Sequence, residues 1–144
     1  MSQAADSEVS VLDGSSFYIS DAVGDADGRA TQGFFYRDTR FLSSAVLRVN
    51  GERPALLSNK PIDYYSAMFF LTMPFQSVYE THPLTIVRSR FVGDGVHEDV
   101  LLVNYADEPV SVRLTLTFDC DFADLFEIKA QIPPQEPADR AGRA

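Results

Sequence analysis

An all-β domain, built as a two-sheet antiparallel β-sandwich, is the fold this sequence predicts, and three observations carry the prediction. Apolar residues recur with a period of two, most cleanly at Val110, Val112, Leu114, Leu116 and Phe118, the spacing that puts side chains on one face of a strand. Turn-forming groups such as Asp13-Gly14, Asn50-Gly51 and Gly93-Asp94-Gly95 punctuate the apolar runs at short intervals. Eleven Phe and six Tyr, with no Trp, suit half-buried pleated surfaces. A chain of 144 residues fits one domain and can bury a core without a disulfide or metal staple.

Each element follows in order. Residues 9–12 and 17–19 flank Asp13-Gly14 and read as a hairpin, because Asp-Gly tolerates the backbone of a tight turn. Residues 20–28 are small and polar, which predicts a surface loop. Residues 41–49 place Phe41, Ser43, Ala45, Leu47 and Val49 on one strand face, and Asn50-Gly51 ends the run. Two strands follow at 55–58 and 62–73. The second is rich in aromatics and bounded by Pro61 and Pro74, as a strand buried on both faces would be. Residues 84–92 and 96–104 form a pair across Gly93-Asp94-Gly95, and Ala106-Asp107-Glu108-Pro109 turns into a last strand at 110–119. One sheet cannot bury its apolar face alone, so two stacked sheets are expected. Residues 122–126 suffice for one helical turn. The division expected is a sandwich domain over 1–130 and a disordered polar tail over 131–144, where Pro133-Pro134-Gln135-Glu136-Pro137 and the residues after it offer no apolar anchor.

Twelve basic residues against twenty-one acidic ones leave a net charge of −9. That balance argues against nucleic acid, whose binders cluster Lys and Arg on phosphates, and against an anionic membrane surface. The apolar stretch 67–75 is far short of the ~20 residues a membrane span needs, and the N-terminus lacks the basic and apolar regions of a secretory leader. A soluble, cytoplasmic protein is expected. Cys120 is the sole cysteine and lies between Asp119 and Asp121. Acidic neighbours disfavour a thiolate, so a small packed side chain is expected there.

No metal or cofactor is expected. Asp25-Ala26-Asp27-Gly28 opens like a calcium loop, but the twelfth position is Tyr36, not the bidentate Glu that such a loop needs. His82 and His97 have no metal-ligand spacing with Cys120, and His97 with Asp99 reads as solvent-face charge. The unusual stretch is Gly33-Phe34-Phe35-Tyr36-Arg37-Asp38-Thr39-Arg40-Phe41-Leu42. It sets Arg37, Asp38 and Arg40 among aromatic groups, where charges must be paired if the segment is partly buried. One reading is a local pair of Asp38 with Arg37 or Arg40 that stiffens the approach to the next strand. The other is a surface facing a ligand or partner.

The same stretch, followed by Val49-Asn50-Gly51 and Leu56-Leu57-Ser58, resembles the N-terminal domain of bacterial glycogen-debranching-type (amylo-α-1,6-glucosidase-like) proteins. Arg90, Gly93-Asp94-Gly95, His97-Glu98, Asn104, Glu108-Pro109-Val110 and Phe118-Asp119-Cys120-Asp121-Phe122-Ala123-Asp124-Leu125-Phe126-Glu127 continue the resemblance in order, so that it spans most of residues 10–130. It implies a supersandwich-type β-domain that precedes an (α/α) toroid, and the toroid carries the carboxylate pair for glycoside hydrolysis. The chain alone is then expected not to be an enzyme. Expected partners are the toroid domain, an α-glucan and a second copy of the chain. Tyr36, Arg37, Asp38, Arg40 and Glu98 are the candidate ligand- or interface-facing residues. At the C-terminus the chain departs from the family pattern, which reads either as one domain of a larger protein or as a shortened gene product. A free-standing carbohydrate-binding or self-assembling module is the alternative function.

Overall fold

Strands follow one another from Val9 to Asp119, and one short helix closes the sequence of elements. They are β1 Val9–Asp13, β2 Ser16–Ser20, β3 Ala26–Asp27, β4 Gly33–Tyr36, β5 Thr39–Leu42, β6 Ser44–Val49, β7 Ala55–Asp63, β8 Ser66–Thr72, β9 Leu84–Val92, β10 Val96–Asn104, β11 Leu114–Asp119 and the helix α1 Leu125–Gln131. The computed structural model describes residues 8–28, 31–73 and 84–131. His82, Pro74 and the expected tail beyond Gln131 lie outside them.

Every strand pair is antiparallel. The all-β, sandwich-like fold read from the sequence is therefore the one observed. The strands hydrogen-bond as three sheets, with orders β1-β2-β4-β5, β10-β9-β8-β7 and β11-β6-β3. All three contribute to one core cluster, which includes Val11 and Tyr18, Leu47 and Val49, and Phe69, Leu71, Ile86 and Val92. Alternation explains the membership: Leu84, Ile86, Arg88, Arg90 and Val92 are buried along β9, and Phe91, on the other face, is exposed.

Several segments differ from expectation, each for a physical reason. The run 41–49 is not one strand, because the chain changes sheets at Ser43. Thr39–Leu42 pairs with β4, whereas Ser44–Val49 pairs with β11 and β3. Ala45, Leu47 and Val49 are buried, but Phe41, beyond the corner, is 38% exposed. The run 62–73 turns at Tyr64-Tyr65, so Pro61 belongs to β7. A missing N–H is tolerated there because β7 is an edge strand. β8 is buried on one face, through Ala67, Phe69 and Leu71, and only half-buried at Met68 and Phe70 on the other.

The last strand begins at Leu114, not 110. Leu114, Leu116 and Phe118 stand opposite Val49, Leu47 and Ala45, three residues that are buried on the core face of β6. The alternation thus points the right way, yet these side chains are 43%, 37% and 57% exposed, because β11 is an edge strand of its sheet. Finally, residues 20–28 do not form a surface loop. Ala22, Gly24, Asp25 and Ala26 are all buried, since this loop delivers a carboxylate to arginines inside the domain.

Candidate functional site

The stretch 33–42 folds into the β4–β5 hairpin, with Arg37-Asp38 as its two-residue tip. Both residues adopt positive φ, 48° and 67°, as the primed turns that match strand twist require. Asn50-Gly51 makes a similar turn at φ 53° and 81°, with residues better suited to it. At the base of the hairpin Gly33 has φ 131°, and any Cβ there would run into the carbonyl oxygen of Leu42.

The hairpin tip carries a short aromatic ladder. The Arg37 guanidinium lies 5.1 Å from the centre of the Tyr36 ring. Tyr36 meets Phe41 at 6.2 Å, and Phe41 meets Phe122 edge-on at 5.8 Å. Phe122 and Phe126 are 63% and 72% exposed, and Arg37 and Asp38 are exposed as well.

Phe122 reaches this place because residues 119–125 are fastened along β5. The Arg40 N–H donates to Ala123 O at 2.9 Å, and Leu125 N–H donates to Asp38 O at 2.8 Å. The buried Arg40 guanidinium grips the Asp121 carboxylate through Nη2 and Nε, the latter at 3.2 Å. Its Nη1 donates to Gln32 O at 3.2 Å. That hydrogen bonding from Arg40 holds the Asp121 carboxyl below the usual carboxylate range. The expected pair of Arg40 with Asp38 is therefore corrected: Arg40 takes a carboxylate 81 residues away, which no local reading could supply. Asp124 Oδ1 then accepts from Phe126 N–H at 2.8 Å and caps α1, and buried Ile128 anchors that helix.

Glu98, the remaining sequence candidate, stands apart from the hairpin in a second cluster. Arg88 Nε donates to Glu98 Oε1 at 2.6 Å, while Arg90 Nε and Nη2 donate to Oε2 at 3.0 and 2.7 Å. Arg88 Nη1 also reaches Asp25 Oδ1 at 2.7 Å and Val23 O at 3.0 Å. Asp25 accepts the Leu47 N–H at 3.0 Å and Arg53 Nε at 3.0 Å, and Asp21 takes Arg53 Nη2 at 2.8 Å. Arg90 lies 4.0 Å from the centre of the Tyr18 ring, and its Nη2 donates to Gly24 O at 2.5 Å. Three cations and three carboxylates thus balance one another, two of the arginines inside the core.

Burial raises the Glu98 carboxyl's proton affinity, but Arg90 and Arg88 outweigh it and hold the pKa below its ordinary value. Burial pushes the Tyr18 hydroxyl up, against the opposing pull of Arg90. Gly24, at φ 92°, lets the loop close on the cluster: a Cβ would sit 3.2 Å from the Phe69 ring and 3.3 Å from the Arg88 guanidinium. Among the described residues, Arg88 Nη2 is the buried side-chain polar atom that lacks a partner.

The structure sets Tyr36, Arg37 and Asp38 at the hairpin tip, turns buried Arg40 to Asp121, and leaves Glu98 in the ion network. Sequence reasoning passed over Arg88 and Arg53, and placed Asp25 in a surface loop. A signal was present, since Arg88 and Arg90 share the parity of Ile86 and Val92 on β9, and a charge on a core face demands a counter-ion. Cys120 is exposed, contrary to the packed side chain expected, because it follows the uncovered edge strand. His97 Nε2 lies 3.2 Å from Asp99 Oδ1 on an exposed face. Among the described residues no group of three or more metal-ligating side chains occurs, and no helix is long and apolar enough to cross a membrane.

The hairpin tip offers ring faces for stacking, a guanidinium donor and a carboxylate acceptor, the groups a recognition surface needs. Comparison with curated proteins and with solved structures gives no match. A family model described as the N-terminal domain of (some) glycogen debranching enzymes matches residues 11–142. Since that match covers nearly the whole chain, the protein belongs to the family of N-terminal domains of glycogen debranching enzymes.

Proposed function

We propose that the chain is a non-catalytic accessory domain that docks on an (α/α) toroid catalytic domain through the β4–β5 hairpin, and that Tyr36, Arg37 and Asp38 face the glycan cleft of that partner. The observation that carries this reading is the exposed ladder of Arg37, Tyr36, Phe41 and Phe122, built from two distant segments that backbone bonds hold in register. A mere turn has no need of such fastening. Two successive non-glycine residues at positive φ support the same reading, because strained backbone is retained where surroundings or function require it. Arg40 serves as the positioning residue that fixes residues 119–125.

Calorimetric titration of the chain with a toroid domain of the family, and separately with maltoheptaose, tests the proposal. Binding to the toroid is expected, weakened at least about tenfold by Phe41→Ala with Phe122→Ala, since interface aromatics commonly contribute more than about 1 kcal/mol each. Unchanged binding by that double variant would move the docking surface elsewhere. Maltoheptaose binding without toroid binding would favour the free-standing carbohydrate module, a reading for which the guanidinium-stacked Tyr36 ring beside Asp38 speaks. Glucose release from limit dextrin by the chain alone would refute the non-catalytic role.

A further inference from the structure

Among the described residues, the edge strand β11 pairs with β6 on one side and with no strand of its sheet on the other. Arg113 is bonded to β6 through its own backbone: Asn50 N–H donates to Arg113 O at 2.8 Å, and Arg113 N–H donates to Asn50 Oδ1 at 2.9 Å. In an antiparallel ladder successive residues direct their backbone groups to opposite sides. Thr115 and Thr117 therefore bond to β6 as Arg113 does, while Leu114, Leu116 and Phe118 turn their N–H and C=O groups to the open edge. The far side of β6 agrees with this parity, because the Leu47 N–H, opposite Leu116, leaves β11 and donates to Asp25.

We infer that β11 pairs antiparallel with β11 of a second copy of this chain, about a two-fold axis through Leu116, joining the two β11-β6-β3 sheets into one. The occupant follows from the residues that this register sets against each other. A strand running antiparallel to itself about Leu116 places Arg113 opposite Asp119 of the other copy, and Asp119 opposite Arg113. Both residues are exposed, and among the described residues neither has an ion pair within its own chain. Thr115 faces Thr117, and Leu114 faces Phe118, each of them pairings that stabilise sheets. The central residue must also have outward backbone groups to bond with its own image, as Leu116 does. Shifting the axis by one residue to Thr115 or Thr117 would centre it on a residue whose backbone groups already face β6 and cannot bond to their own image. Such an isologous contact is closed, so it yields a dimer and not a fibre. Leu114, Leu116 and Phe118 of both copies then form one apolar strip on the face they share with Val49, Leu47 and Ala45.

This inference is independent of the hairpin docking proposed above, which uses Phe41 and Phe122. Sedimentation equilibrium on the 144-residue chain over a wide concentration range is the test, with circular dichroism of each variant as the check on folding. A monomer–dimer equilibrium is expected. Arg113→Glu alone and Asp119→Arg alone should each weaken it roughly tenfold, because each sets two like-charged pairs across the axis. The double reversal should restore it. Leu116→Pro should abolish it, since the N–H it removes bonds only to the other copy and proline is tolerated on such an edge. Should that variant lose its fold, the charge-reversal cycle decides alone. A chain that stays monomeric at all concentrations overturns the inference, as does a dimer whose strength the reversals leave unchanged.

Discussion

Asp25 shows how much one residue can be misjudged from its neighbours. Its sequence setting is small and polar, yet it is fully buried and accepts bonds from Arg88, Arg53 and the backbone of β6. Replacing it with alanine leaves the buried Arg88 short of a counter-ion, and breaking a buried pair from one side costs about 3–5 kcal/mol. Asp25→Ala should therefore lower the denaturation midpoint far more than Asp38→Ala, although both remove one negative charge. Equal shifts in a urea titration of the two variants would show that the ion network adds nothing to stability. At the hairpin tip the opposite outcome is expected. Asp38 holds φ 67° and its described bond is through its carbonyl oxygen, so Asp38→Gly keeps that bond and relieves strain. The variant should be stabilised by about 1 kcal/mol. A lower melting temperature for it would mean that the exposed carboxylate stabilises the fold in a way the geometry does not reveal.

At the scale of elements, the hairpin and the segment 119–125 form one unit. The Asp121 carboxylate takes the charged bonds from Arg40, and the backbone bonds at Arg40 and Leu125 flank it. Asp121→Asn should accordingly speed amide hydrogen exchange at Arg40 and Leu125 while leaving β8 and β9 protected, since local opening and global unfolding are separate events. Uniform acceleration throughout the chain would instead place Asp121 in the global stability of the domain. Much of this unit was legible as composition, in the dense aromatics of 33–42 and the acidic run after Phe118. That the two lie side by side was not legible, because pairing of segments 81 residues apart depends on the path of every strand between them.

For the whole molecule the ion network predicts a response to acid. The Glu98 pKa is held below its ordinary value by Arg90 and Arg88, which outweigh its burial. A carboxyl depressed in the folded state binds fewer protons there than in the unfolded chain. Its stabilising effect is complete above the unfolded pKa of about 4.3 and is lost as the pH falls through the lower folded value. Asp121 is depressed in the same direction by Arg40. Unfolding free energy should thus decline steeply below about pH 4.3, and Glu98→Gln should be less stable at neutral pH with a shallower acid limb. An acid limb of the same slope in that variant would assign the loss to other carboxylates.

The sequence by itself determined the class of the molecule. Period-two alternation at Leu84–Val92 and Leu114–Asp119 predicts strands, because side-chain direction along a strand is a local property of the backbone, and the short turns between strands predict antiparallel pairing. Motif order was equally local, and it sufficed to indicate the family that residues 11–142 match. Only the tertiary structure decided where the strands change sheets, which carboxylate meets which arginine, and which apolar faces are covered. Leu116 shows the limit: its parity is that of buried Leu47, yet it is exposed because burial requires a second element on the same face. Alternation fixes where a side chain points, whereas its cover comes from parts of the chain remote in sequence, whose position is set by the free energy of the assembled core and not by any local pattern.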